Sequence, residues 1–419
     1  MQRYTVISSD CHAGAPASVY RKYLDEQYRE EYDRWLAAIE RFVKSYPVPQ
    51  SPGRARHEDG MNVTLFHMPA EREKEYVAAV KESHGDVGNW DPDVRIRELD
   101  REGIAGEVMF CDGTHNNHAP FGVGFFRGKE PTSPELRAAG CRAHNRWLAE
   151  FCQTNPHRHA GVALVPLGPS DEVETAVEEI RWARSNGLFG GIMLPVLQLP
   201  TTGAESFWHH PRYEPIWQVC EELGMPINSH ITTVGVEHGG SPLVVTFEKL
   251  FCVYRTFWTL LWGGVLERHP GLKLCFTEAG GLQVLNFNAY FDEYLSKNRW
   301  PEWVAKATSM KPSEYWFRQC YVGASAHSSR VEIDNRDKIG VKNIMWGSDY
   351  PHAEGTWPHS FERTKSLFNG VPEAEIRLMI GENAARVYGF DMEKLDRVAE
   401  RIGPRVDAFR NPVSAAASG

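Results

Sequence analysis

Eight short runs rich in β-branched and apolar residues alternate with helical segments along most of the chain, and this alternation restricts the fold more than any other feature. The first run, Tyr4–Ser8, leads into Asp10-Cys11-His12. Ile104–Phe110, Ala160–Val165, Leu188–Leu194, Met225–Ser229, Leu272–Thr277, Gln319–Val322 and Asn343–Ser348 follow. Between them the apolar spacing predicts helices over 17–43, 91–103, 135–155, 171–185, 213–223, 282–297, 312–317 and 373–388. The helix over 91–103 is the best punctuated, with Asp91 as N-cap, Pro92 at the first helical position and Gly103 at the close. Strands alternating with helices make parallel βαβ units, and eight of them close a barrel. A doubly wound sheet is the alternative, but neither a G-x-G-x-x-G fingerprint after the first strand nor a Walker pattern is present. The sequence therefore predicts a distorted (β/α)8 TIM barrel forming one domain over residues 1–390, with long insertions after strands one and five, the first at about 44–90. Residues 391–419 form a C-terminal extension whose end, V-S-A-A-A-S-G, is expected to be disordered.

Composition narrows the partners. A net charge of -9 and the lack of a long basic block argue against nucleic acid and membrane surfaces, which need clustered Lys and Arg. The eight cysteines contain no C-x-x-C pair and fall partly inside apolar runs, as reduced, packed thiols do. With no apolar signal core at the N-terminus and no run approaching eighteen apolar residues, the chain is expected to be cytoplasmic and unexported.

In a parallel barrel the catalytic groups sit at the carboxyl ends of the strands. Asp10 and His12 are two apart and so share a face, while Cys11 points into the wall. Strand eight ends at Asp349, beside strand one in a closed ring, and strand five ends at His230, across the mouth. Two histidines and two carboxylates thus converge, a donor set suited to zinc, manganese or iron(II). Glu278 ends strand six in F-T-E-A-G-G and either faces the same mouth or caps the next helix. His352 can contact substrate or support a ligand, and a loop-capping role competes with both. His115 and His118, in the loop after strand two, are candidate substrate contacts against the alternative of a solvated polar loop. The aromatic segment Tyr254, Phe257, Trp258 and Trp262 has the helical spacing of a core face or a subunit interface, so a homodimer is a reasonable expectation.

The motifs V-I-S-S-D-C-H, P-I-N-S-H, L-K-L-C-F-T-E-A-G-G, I-M-W-G-S-D-Y-P-H and N-A-A-R-V-Y-G-F span nearly the whole chain. Together they resemble the amidohydrolase-related family typified by aminocarboxymuconate-semialdehyde decarboxylase, within the amidohydrolase superfamily. The resemblance implies a distorted barrel holding one divalent metal, zinc first with manganese or iron as alternatives, on Asp10, His12, His230 and Asp349. It also implies Asp349 as the proton-transfer group. Glu278 departs from the pattern, since several decarboxylases of the family place a histidine there. The leading expectation is metal-dependent hydrolysis, in which activated water attacks a small organic substrate, aromatic ones included, with Asp349, Glu278 and His230 as catalytic residues. The alternative is non-oxidative decarboxylation of a small aromatic or unsaturated carboxylic acid, with Asp349 protonating the carbon that loses carbon dioxide. A non-catalytic binding barrel would need the four ligands to persist without reactive purpose.

Overall fold

The computed structural model describes residues 2–45, 71, 74–75, 78–79, 87–112, 117–125, 132–168, 171–195, 207–231, 251–297, 307–324, 329–352 and 354–410. Strands β1 (Val6–His12), β2 (Ile104–Phe110) and β3 (His159–Gly161) form one parallel sheet. Strands β4 (Ala163–Leu164), β5 (Ile192–Met193), β6 (Ile227–His230), β7 (Leu274–Thr277), β8 (Cys320–Ala324) and β9 (Ile344–Trp346) form a second, each paired in parallel with the next. β3 and β4 occupy one strand position. At Val162 the chain changes partner: its N–H goes to the Met109 carbonyl at 2.9 Å, and the next N–H, of Ala163, goes to the Gly191 carbonyl at 2.9 Å. An isolated parallel bridge between Cys11 and Tyr350 brings β1 against the chain leaving β9. Eight parallel strand positions separated by helices make this a distorted (β/α)8 barrel, as the alternation predicts.

Several boundaries differ from expectation for local reasons. The first strand begins later and runs through His12, so Asp10, Cys11 and His12 lie within it. The fourth strand position shrinks to Ile192–Met193 because Gly191 takes a left-handed φ of 88°; a Cβ there would lie 2.0 Å from the Pro226 carbonyl oxygen. The helix expected over 17–43 is broken into Ala17–Tyr23, a short turn Glu26–Tyr28 and Arg29–Ser45. Asp25, at the break, receives Arg146 at 2.8 Å and Arg142 at 3.2 Å. The helix Pro92–Glu102 has the expected caps: Asp91 accepts from the Asp93 and Val94 N–H groups, and Gly103 closes it at φ 73°.

One buried cluster gathers side chains of the strands (Ile7, Val108, Phe110, Leu164, Met193, Cys275, Tyr321, Met345) with Ala384, Val387 and Tyr388 of the helix Asn383–Tyr388. The Tyr388 hydroxyl donates to Asn228 Oδ1 at 2.9 Å, tying that helix to β6. The larger cluster lies between strands and helices and absorbs the aromatic segment: Tyr254 and Phe257 are buried, and Trp258 and Trp262 pack edge-on against Phe287 and Phe291. The extension after residue 390 carries the helices Met392–Ile402 and Val406–Arg410, the first burying Leu395 and Ala399. Most of the first insertion, over 46–70 and 80–86, the residues 232–250 after β6, and the tail over 411–419 lie outside the described residues. No helix among the described residues is long and apolar enough to cross a membrane.

Candidate active site

The strand ends bring together six of the residues singled out from the sequence. His12 and His230 are the last residues of β1 and β6, Glu278 immediately follows β7, and Asp349 comes three residues after β9. Asp10, His12, His230 and Asp349 are all essentially inaccessible. Glu278 and Asp349 both take left-handed backbone conformations, φ 56° and 57°, a costly geometry for non-glycine residues that surrounding contacts must hold. The Glu278 N–H donates to the Gly323 carbonyl at 2.9 Å, and the Asp349 N–H to the Asp10 carbonyl at 2.8 Å.

The histidine tautomers follow from their neighbours. His12 Nδ1 faces the Cys111 carbonyl at 2.9 Å, and His230 Nδ1 faces the Ile231 carbonyl at 3.0 Å. A carbonyl only accepts, so Nδ1 carries the proton in each neutral ring and Nε2 is left with a lone pair. Both lone pairs point at carboxylates. His230 Nε2 lies 3.3 Å from Asp10 Oδ1, and His12 Nε2 lies 3.5 Å from Asp10 Oδ1 and 3.3 Å from Asp349 Oδ1. Lone pairs facing carboxylate oxygens need a cation between them. Burial pushes His12 toward the neutral ring, with nearby His352 adding to the effect, so a proton on Nε2 is a poor solution. His12 Nε2 and Asp349 Oδ2 are both buried without a hydrogen-bond partner. Asp10, His12 and His230 present ligand atoms within 4.8 Å of one another, as do His12, Asp349 and His352. These residues fit a divalent metal.

The remaining polar groups set the charge around that centre. His352 Nδ1 sits 2.9 Å from Asp349 Oδ1, and its ring lies 4.0 Å from that of His12. Burial pushes the His352 imidazole down, but Asp349, Glu354 and Glu278 outweigh it and raise its pKa to about 10. Burial likewise pushes the Asp349 carboxyl up, yet His352 and His12 hold it below the usual carboxylate range. Glu278 moves the other way. Burial and the facing Asp349, Asp10 and Glu354 carboxylates raise it well above the usual value. Its Oε2 lies 3.5 Å from His230 Nδ1, so Glu278 faces the mouth, the first of its two sequence-level readings.

His118 is half-buried just before the turn Pro120–Gly122 and belongs to none of the metal-competent groups, and His115 lies outside the described residues. Three residues that the sequence reading missed belong to the site. Glu354 joins Glu278 and Asp349 in a carboxylate group whose oxygens lie within 4.8 Å. Its signal was its place two residues past His352 in the strand-eight loop. Phe110 and Phe125 wall the His230 ring at 4.7 and 4.6 Å. Phe110 was legible as the last residue of strand two, on the same face as Val108.

A family model described as Amidohydrolase matches residues 64–390, a span that leaves β1 outside. The chain is similar to 2-amino-3-carboxymuconate-6-semialdehyde decarboxylase from Dictyostelium discoideum, 24% identical over 74% of this chain and 79% of that protein. Among solved structures it resembles an amidohydrolase from Mycobacterium avium subsp. paratuberculosis, with a TM-score of 0.66 at 18% identity, covering 93% of this chain and 100% of the other. It also resembles a dihydroxybenzoic acid decarboxylase from Polaromonas sp. that has manganese and the inhibitor 2-nitroresorcinol bound, with a TM-score of 0.59 at 14% identity over 94% and 99% of the two chains. With the barrel, the strand-end constellation and a family match running from residue 64 to 390, this chain belongs to the amidohydrolase family.

Proposed function

We propose that the chain is a metal-dependent, non-oxidative decarboxylase of a small aromatic or unsaturated carboxylic acid. The observation that carries the metal half is the pair of Nε2 lone pairs on His12 and His230 turned toward buried carboxylates, with Asp349 Oδ2 left without a partner. The reaction half is supported by the relatives: the Dictyostelium and Polaromonas proteins are both named decarboxylases, so the hydrolytic expectation gives way to what stood as its alternative. A divalent ion on Asp10, His12, His230 and Asp349 would supply Lewis-acid polarisation of a substrate oxygen. Manganese is the first ion to test, with zinc and iron beside it.

The chain's own residues divide the rest. His352, with a side chain 25% exposed and a pKa raised to about 10, is a cation at neutral pH and attracts the substrate carboxylate toward the mouth. Phe110 and Phe125 offer flat apolar walls beside His230 for an aromatic ring. When the bond to the carboxylate breaks and carbon dioxide leaves, the electron pair left on carbon takes a proton. That proton comes from the His352 imidazolium and is relayed through Asp349 across the 2.9 Å contact. Glu278 Oε2, 3.5 Å from His230 Nδ1, helps to orient that ring. The test is a panel of aromatic and unsaturated acids assayed for carbon dioxide release, beside amides and lactones assayed for hydrolysis. Release from an acid with none of the hydrolytic activity supports the reading; hydrolysis without carbon dioxide overturns it.

A further inference from the structure

Between β1 and β9 the barrel shares one isolated bridge, Cys11–Tyr350, where the other neighbouring strand positions share ladders. The residues proposed as metal ligands straddle this seam, with Asp10 and His12 on one side and Asp349 on the other. Arg95 reaches the seam from the helix Pro92–Glu102 and is fully buried. Its Nε donates to both Glu107 carboxylate oxygens at 3.0 and 3.1 Å, and its Nη2 to Glu107 Oε2 at 2.6 Å. With the fork on Glu107, Nη1 donates to the His12 carbonyl at 2.8 Å. The guanidinium also lies over the Tyr350 ring, 4.6 Å from its centroid. Glu107 is held in turn by His159 Nδ1 at 2.9 Å.

The geometry points to Arg95 as a positioning residue for the metal centre, fixing the His12 backbone and the Tyr350 ring so that His12 and Asp349 meet across a seam that carries no ladder. Arg95 would act through the His12 backbone and the Tyr350 ring rather than as a ligand itself. A lysine has one head group and cannot grip Glu107 as a fork while also reaching the His12 carbonyl. This inference rests on reading the site as a metal centre.

The experiment titrates manganese into chelator-stripped full-length protein and compares wild type with Arg95→Lys, Glu107→Gln and the double variant Arg95→Met/Glu107→Met. The double variant replaces a buried ion pair with apolar side chains of similar volume, a change that folds tolerate. Arg95→Lys and the double variant should bind manganese roughly 10- to 100-fold more weakly, the usual cost of losing a group that orients a metal ligand. Excess manganese should recover much of their turnover. Glu107→Gln keeps the donor on the His12 carbonyl and should stay within about twofold of wild type even where its melting temperature falls. Wild-type affinity in either Arg95 variant that folds overturns the inference, because a purely structural ion pair would lower stability alone. A wild-type chain that takes up no divalent ion refutes the metal reading itself, and this inference falls with it.

Discussion

Glu332 offers a pH test that is independent of the metal. Its side chain is buried in a pocket with Ile333, Ile339, Ile344 and Phe368, and its Oε1 accepts the Leu282 N–H at 3.2 Å. Burial raises its pKa from an ordinary 4.5 to about 7, with the Leu282 and Gly281 N–H groups pulling partly back. The folded-state value lies above the unfolded one, so the folded chain holds this proton more tightly. The associated stability is fully present below about pH 4.5 and is lost as pH rises toward 7, beyond which the loss is constant. A displacement from 4.5 to about 7 at about 1.36 kcal/mol per unit makes that loss about 3 kcal/mol. Glu332→Gln removes the titration and keeps an acceptor for Leu282. Subtracting the wild-type denaturation free energy from that of the variant cancels the other titrating groups. The difference should move about 3 kcal/mol in the variant's favour between pH 4.5 and 7.5. A pH-independent difference would refute the assignment of a buried, proton-retaining carboxyl.

Asp349→Asn should lower kcat by about 100- to 10,000-fold while the circular dichroism spectrum is unchanged, and an active, metal-replete Asn variant removes Asp349 from the proton-transfer role. His230→Ala should release the divalent ion, so metal analysis of purified protein reads below stoichiometry; a full complement sinks His230 as a ligand. Dialysis against a chelator should abolish turnover and manganese or zinc should restore it, whereas undiminished activity after verified stripping rules out a metal-dependent reaction. Gly191→Ala places a side chain at φ 88° against the Pro226 carbonyl and should destabilise the fold by about 1–3 kcal/mol or more, read by chemical denaturation.

The fold was legible because parallel strands buried on both faces write themselves as short apolar runs, and the helices between them carry explicit caps such as Asp91 and Gly103. Legibility failed where backbone geometry overrides side-chain pattern. Leu188–Leu194 reads as one strand, but the left-handed Gly191 confines the ladder to two residues. Ala160–Val165 reads as continuous, yet its neighbours diverge at Val162 and divide it between sheets. The strand-end residues Asp10, His12, His230 and Asp349 could be placed because strand order alone puts them at one mouth. Phe110 could have been placed in the same way, as the last residue of its strand, whereas Glu354 and Phe125 could not, since which loop residues turn inward depends on contacts across the barrel.

Glu107 was the clue in plain sight. A carboxylate in the middle of I-A-G-E-V-M-F contradicts a strand buried on both faces, and it demands a buried cation. Sequence pattern gives no rule for choosing that cation, because Arg95 and Glu107 meet by helix-to-strand packing across the turn at Gly103. Glu278 presents the opposite case. Its sequence position allowed a helix cap or a mouth residue, and the structure favours the mouth because its left-handed backbone turns the carboxyl toward His230. A histidine there would bring a fourth imidazole near His12, His230 and His352. The glutamate instead adds a carboxyl whose pKa is raised well above its ordinary value by burial and by the facing Asp349, Asp10 and Glu354 carboxylates.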